Sequence, residues 1–282
     1  MQALRDYSTN VRLGQGFDIK GELNQEAQQR AVAAVGRCYD ITKQYGSEEV
    51  KIVATSAVRE SKNGKQFLSL VKDSLGVNIE ILSGEEECRL SFLAVSEDPV
   101  LSKFSGTQVA VDVGGGSTEF AYGRGADIAN CQSVKIGAVR LTEKLLNFDQ
   151  PNNVQVKEAT DYVMEMLQDN LTDICVDRIV GIGGSLINLA RMWNEVPEDK
   201  TEDVHNTVLT SSNLEQSVEG MCALSPDKRV TLVGLEPERS DIIIAGAIIL
   251  DCILKVFGKE ELIVSTKGLR HGIAYEMLKN RR

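Results

Sequence analysis

Val111-Asp112-Val113-Gly114-Gly115-Gly116-Ser117-Thr118-Glu119 is the stretch on which the fold turns. Gln108-Val109-Ala110 precedes it and Phe120-Ala121-Tyr122 follows, so β-favouring residues flank a glycine run on both sides, the pattern of two strands joined by a turn. Three successive glycines permit backbone conformations in which several N–H groups point into one concavity, and such a nest takes phosphate oxygens. Asp112 ends the first strand and Glu119 opens the second, so both carboxylates can converge on a metal ion that bridges to the bound phosphate. The plainer alternative is a glycine-rich hairpin with two solvated acids; the Asp and Ser-Thr-Glu flanks favour phosphate. A second cluster, Gly181-Ile182-Gly183-Gly184-Ser185, lies between a predicted strand and helix. Backbone amides and the helix dipole suit an anion there, and close helix–strand packing explains the glycines equally well.

Upstream of the hairpin the chain alternates helix and strand. Asn24 caps a predicted helix that stops at Gly46, residues 50–54 read as a strand, 63–75 as a helix closing on Gly76, and 77–82 as a strand. Ser83 and Glu86 form a capping box for a helix over 84–95. Within Glu85-Glu86-Glu87, Glu86 is explained by the cap. Glu87 is not, and its neighbours Cys88 and Leu90 turn that side inward. A carboxylate near bound phosphate gains proton affinity from the neighbouring negative charge, which makes Glu87 a usable general base for water.

Downstream, helices are predicted over 138–147 and 154–170, a strand over 178–181 and a helix from the second glycine cluster. Residues 241–256 are apolar on almost every face and read as a buried helix. A strand over 262–265 and a helix over 268–278 end the pattern. This alternation is α/β. Asp98-Pro99 breaks a helix, so the expected boundary lies at 97–105, with residues 1–97 plus 269–282 in one domain and 98–268 in the other.

The 282 residues are 42% hydrophobic and 26% charged, enough for one large core or two modest ones. No run reaches the ~18 apolar residues of a membrane helix, and the start lacks a signal-peptide h-region, so a cytoplasmic location is expected. The net charge of -10 opposes nucleic acids and anionic membranes and leaves an anionic substrate to a locally basic pocket. Six scattered cysteines read as reduced, mostly buried thiols, and two histidines leave a zinc site without ligands; any metal would be held by oxygen, which suits Mg2+ or Mn2+.

Thr55-Ser56-Ala57-Val58-Arg59-Glu60 follows a strand and Glu238-Arg239-Ser240-Asp241 opens the buried helix. Arginine suits bidentate phosphate contact, and either arginine also fits an ion pair, with Glu60 or Asp241.

Together these segments resemble the Ppx/GppA phosphatases, exopolyphosphatases and guanosine pentaphosphate phosphohydrolases of the actin-like ATPase superfamily. Five segments match in order: Arg12-Leu13-Gly14-Gln15-Gly16 with Gly21 and Leu23, residues 54–60, residues 83–90, residues 112–119, and residues 238–243. Ser265-Thr266-Lys267-Gly268-Leu269-Arg270-His271-Gly272 resembles the family's closing motif. The resemblance implies two ribonuclease-H-like domains around a cleft. It implies Glu87 as general base, Asp112 and Glu119 at the metal and water site, and Gly114, Gly115, Gly116 and Ser117 around phosphate. Ser56, Arg59, Arg239, Gly183 and Gly184 complete the implied phosphate contacts. Cys88 replaces the family's usual alanine. The implied substrates are polyphosphate or the stringent-response alarmone guanosine pentaphosphate, with a homodimer among the expected oligomeric states.

The family opens on a strand running into an Asp-x-Gly-Ser-Asn-Ser loop, and Asp6-Tyr7-Ser8-Thr9-Asn10 is a poor substitute, with no apolar strand before it and Ser8 where glycine is needed. About one strand hairpin is therefore expected to be missing. That keeps open a sensor that binds a phosphorylated nucleotide without hydrolysing it; a kinase of the same superfamily is a further rival, since the two glycine clusters would also suit ATP, although a kinase does not need the Glu87 segment.

Overall fold

The computed structural model describes residues 4–16, 21–146, 149–171 and 174–281. The chain divides into two compact units, Met1–Gly84 and Glu85–Arg282.

In the first unit, α1 (Gln25–Gln44) starts where Asn24 accepts a hydrogen bond from the Ala27 amide, and the chain leaves it through Gly46 at φ +63°. Strand β1 (Val53–Ala54) leads into the short helix α2 (Ser56–Glu60), then α3 (Gly64–Leu75) and β2 (Glu80–Ile81). β1 and β2 pair in parallel and are shorter than the expected strands. Leu23, Ala31, Val58, Phe67, Val71 and Val77 form the core of this unit.

The second unit opens with α4 (Gly84–Ser96). There follow β3 (Thr107–Val113), β4 (Thr118–Arg124), β5 (Asp127–Val134), α5 (Ala138–Leu145), α6 (Asn153–Asn170), β6 (Arg178–Ile182), α7 (Gly184–Trp193), β7 (Val208–Thr210), α8 (Ser211–Cys222), α9 (Pro226–Arg229), α10 (Ile243–Val256), β8 (Glu261–Val264) and α11 (Leu269–Asn280). The strands form one sheet in the order β5-β4-β3-β6-β8-β7. β5, β4 and β3 are antiparallel neighbours, β6 and β8 continue in parallel, and β7 closes the edge antiparallel. Three antiparallel strands extended by two parallel ones are the ribonuclease-H-like arrangement that the resemblance implied.

Side chains alternate between the two faces of a strand, and the two faces of this sheet carry different layers. Val109, Val111, Phe120, Tyr122 and Ile179 join the large core around α10, which is buried from Ile243 through Leu254 as its uniform apolarity predicts. On the other face Ala110, Ala121, Val180 and Ile182 meet Cys88, Phe92 and Val95 of α4. That packing is why the division between units falls before α4, whereas the sequence reading drew it after residue 97. α11 also stays with the second unit instead of joining residues 1–97. A Cβ on Gly272 would lie 1.8 Å from the Leu90 carbonyl oxygen, so α11 crosses α4 backbone to backbone.

Three expectations need correction. Strands β5 and β7 fall where the sequence reading names no element. The 241–256 helix begins only at Ile243, after a 3-10 turn over Pro237–Arg239, because Pro237 favours a tight first turn. Of the six thiols only Cys88 and Cys252 are buried; Cys38 and Cys175 are exposed. Asn147, where the predicted α5 was to end, lies outside the described residues. Among the described residues no helix is long and apolar enough to cross a membrane.

Candidate functional site

Asp112 and Glu119 stand directly opposite each other across the hairpin, and Glu119 in turn stands opposite Ser133 on β5. Directly opposed residues point to the same face of a sheet, so this row shares the face covered by α4. α4 contributes Glu87 and, one turn later, Ser91. The Ser91 hydroxyl donates to Asp112 Oδ2 at 3.1 Å, and the Ser133 hydroxyl donates to Glu119 Oε1 at 2.8 Å. Cys88 points its thiol at the Phe120 carbonyl at 3.2 Å and is fully buried.

The electrostatics follow from placing three carboxylates on one partly dry face. Glu87 and Glu119 are buried, Asp112 half-buried. Burial is the first cause of a raised Asp112 carboxyl, the Glu87 charge adds to it, and the Ser91 hydrogen bond offsets part, leaving it at about 6. Burial likewise lifts Glu119 well above the usual carboxylate range. Glu87 and then Asp112 push it further, against hydrogen bonds from Ser117 and Ser133.

These residues suit a hard divalent cation. Among the described residues no three His, Cys, Asp or Glu side chains form a group able to hold an ion. A cation bound to Asp112 and Glu119 would therefore take two carboxylates from the protein and the rest of its shell from water and phosphate oxygens, the usual habit of Mg2+.

The glycine turn between the two acids is held from behind. Gly114 N–H donates to the Ser117 carbonyl at 3.0 Å. At the start of α5, Ala138 N–H donates to the Gly114 carbonyl at 2.9 Å, and Val139 and Arg140 donate to the Gly115 carbonyl at 3.0 and 3.1 Å. Gly137 makes this approach possible, since a Cβ there would lie 2.5 Å from the Gly115 backbone. With the carbonyls occupied, the amides of Gly115, Gly116 and Ser117 donate to no carbonyl among the described residues. The sequence reading puts phosphate at these amides.

The second glycine cluster adjoins the first. Gly183 sits at φ +105°, with the Asp112 Oδ1 atom 3.0 Å and the Val113 carbonyl 2.8 Å from where its Cβ would be. A Cβ on Gly184 would lie 2.3 Å from the Arg239 guanidinium, so that side chain lies flat on the opening turn of α7. Arg239 pairs with Glu236 at 2.7 Å, not with Asp241 as its ion-pair reading had it. Behind this turn the closing motif is anchored by Ser265 N–H, which donates to the Gly181 carbonyl at 2.9 Å.

Ser56 and Arg59 belong to the first unit. Ser56 is buried and its hydroxyl donates to Glu60 Oε1 at 3.1 Å; Arg59 Nη1 donates to the Leu82 carbonyl at 2.8 Å. Within the second unit the structure thus brings Glu87, Asp112, Glu119, Gly114, Gly115, Gly116, Ser117, Gly183, Gly184 and Arg239 into one neighbourhood. Sequence reasoning missed Ser91, Ser133 and Glu236. Ser91 was within reach of a helical argument, lying four residues after Glu87. Ser133 carried no such signal, because the strand that holds it was not predicted.

Comparison with known proteins agrees with this geometry. The model of the Ppx/GppA phosphatase family matches residues 1–281. Exopolyphosphatase 2 of Mycobacterium tuberculosis is 31% identical over 280 residues, covering 95% of this chain and 86% of that protein. Guanosine-5'-triphosphate,3'-diphosphate pyrophosphatase of Photobacterium profundum is 27% identical over 290 residues, covering 100% of this chain and 55% of that protein. The crystal structure of the Aquifex aeolicus member of the Ppx/GppA family superposes with a TM-score of 0.79 at 32% identity, over 96% of this chain and 88% of that one. A ribonuclease-H-like sheet, an acid-flanked glycine turn on it and relatives of this kind over nearly the whole length agree that the chain belongs to the Ppx/GppA phosphatase family.

Proposed function

We propose that this chain is a phosphohydrolase that releases the terminal phosphate from inorganic polyphosphate or from guanosine pentaphosphate. The observation that carries the reading is the opposition of Asp112 and Glu119 across a turn whose amides at Gly115, Gly116 and Ser117 have no carbonyl partner among the described residues. Such amides take the non-bridging oxygens of a phosphate, and Arg239, against the opening turn of α7, adds charge. Ser56 and Arg59 are assigned further phosphate contacts on the strength of the family motif alone.

Asp112 and Glu119 would hold Mg2+ or Mn2+, which when bound supplies Lewis-acid stabilisation of the phosphoryl charge. Glu87 accepts the proton of the attacking water. Its electrostatic coupling to both neighbouring acids supports its place at the reaction centre. The water oxygen bonds to the terminal phosphorus as the bridging P–O bond breaks. The shortened chain leaves with the electron pair, and inorganic phosphate is the second product. The same reading takes the protein as cytoplasmic, with a homodimer among its states, a part in the stringent response where the alarmone is the substrate, and no nucleic acid or membrane partner.

The test is phosphate release from polyphosphate and from guanosine pentaphosphate, each with Mg2+, with Mn2+ and with excess chelator. Metal-dependent release from either substrate is expected. Tight binding of both without release would replace this reading with the sensor. Phosphate transfer from ATP to an added sugar would replace it with the kinase.

A further inference from the structure

Arg191 is a charged side chain with only 2% of its surface exposed, which is costly unless its donors are all met. They are. Its Nε donates to the Gly234 carbonyl at 3.0 Å, Nη1 to the Thr201 hydroxyl at 2.9 Å and the Glu198 carbonyl at 3.4 Å. Its Nη2 donates to Asn188 Oδ1 at 3.1 Å and Glu236 Oε1 at 3.0 Å. Gly234, at φ +85°, lets the chain pass the Arg191 backbone, where a Cβ would come within 2.6 Å. Asn188 Oδ1 also accepts from the Glu236 amide at 2.7 Å, so both ends of Glu236 are tied to α7.

The other carboxylate oxygen, Oε2, accepts from Arg239 Nε at 2.7 Å. Burial alone would raise the Glu236 carboxyl, but the Arg239 and Arg191 guanidiniums hold it below the usual carboxylate range, so it is an anion between two cations. Because Glu236 engages Nε, it fixes the plane of the Arg239 fork. Nη1 and Nη2, which lie against Gly184, have no acceptor among the described residues.

We infer that Glu236 is a positioning residue for the phosphate site: braced by the buried Arg191, it orients the Arg239 guanidinium at the opening turn of α7 so that its two terminal nitrogens meet a phosphate oxygen pair. This rests on the phosphohydrolase reading, with Arg239 as the group that touches substrate. A guanidinium free to swing makes the same contact only after losing side-chain entropy on binding. The fixed fork has met that cost during folding, and small misplacements of such groups are expensive in rate.

A double-mutant cycle tests it. Glu236→Gln and Glu236→Asp are made in the parent and in Arg239→Ala, with kcat and KM for phosphate release from polyphosphate, the dissociation constant for inorganic triphosphate, and Tm measured for each. Glu236→Gln should lower kcat/KM on the order of tenfold in the parent and by less than about twofold in Arg239→Ala, because nothing remains to position. Glu236→Asp keeps the charge and should recover part of the loss. If Glu236→Gln does not fold, Glu236→Asp carries the same test, with a smaller loss in the parent that disappears in Arg239→Ala. Equal losses in both backgrounds, or no loss in the parent, would overturn the inference while leaving the phosphohydrolase reading standing. A parent protein that neither binds triphosphate nor releases phosphate would overturn both.

Discussion

Two glycine turns meet near Asp112, and they use glycine for opposite reasons. In the hairpin turn the carbonyls of Gly114 and Gly115 are tied to the start of α5, and the amides of Gly115, Gly116 and Ser117 are left over. There the turn's own polarity is what matters: backbone donors stay unclaimed. In the turn before α7 the issue is space. Gly183 and Gly184 are glycine because Asp112, Val113 and Arg239 occupy the positions a side chain would take. A turn that leaves amides unclaimed and a close-packed corner look alike in sequence, and only what surrounds the backbone separates them.

Neither turn carries the proposed general base. Glu87→Gln should therefore retain triphosphate affinity while turnover falls ~100 to 10,000-fold, the usual worth of a general base. A variant with turnover near the parent's would remove Glu87 from the mechanism. Glu86→Gln is the control, with an effect limited to about 1 kcal/mol of helix stability.

Next in size is the corner itself. Gly183→Ala forces a Cβ onto a backbone at φ +105° against the Val113 carbonyl and Asp112, and should cost about 1–3 kcal/mol together with activity. Thermal unfolding would register a drop of several degrees. An unchanged Tm would show that the corner can relax and break the contrast drawn above.

A smaller effect links the two acids to the cation. Asp112 is raised to about 6 and Glu119 higher still, so between the ordinary carboxylate range and those values the folded protein holds protons that the unfolded chain has released. Stability from these groups is therefore present at low pH and declines as pH rises through the folded values. A cation on the two carboxylates counters that decline, so Mg2+ should stabilise the fold more at pH 8 than at pH 5.5, by on the order of 1 kcal/mol, seen as a larger rise in Tm. A rise independent of pH would place the ion elsewhere.

The smallest effect should come from the hairpin turn. Gly115 has ordinary backbone angles, and a Cβ there meets only Val139 Cγ2, at 3.2 Å. Gly115→Ala should thus change stability by less than about 1 kcal/mol while weakening triphosphate binding, a separation of fold from binding that Gly183→Ala cannot give. Loss of stability as large as that of Gly183→Ala would erase the distinction between the turns.

Much of this is legible in the sequence. The apolar run at 242–254 could only be a buried helix, and Asn24 and Gly46 marked the ends of α1 by local capping chemistry. β5 escaped because most of it is an exposed edge strand without a clean alternation, although Gly125 at φ +58° marked the turn into it. β7, three residues long, is a strand only because β8 pairs with it.

The sequence by itself determined the hairpin, its two acids and the glutamate-rich helix start, because turn formation, capping and strand pairing within a hairpin depend on residues close together along the chain. Tertiary structure alone decided that α4 lies on the hairpin's acidic face, that Ser91 and Ser133 hold the carboxylates, and that Arg239 answers to Glu236 and the distant Arg191. Those contacts join residues from separate elements, and they follow from which faces must be buried against which. No local propensity encodes that choice.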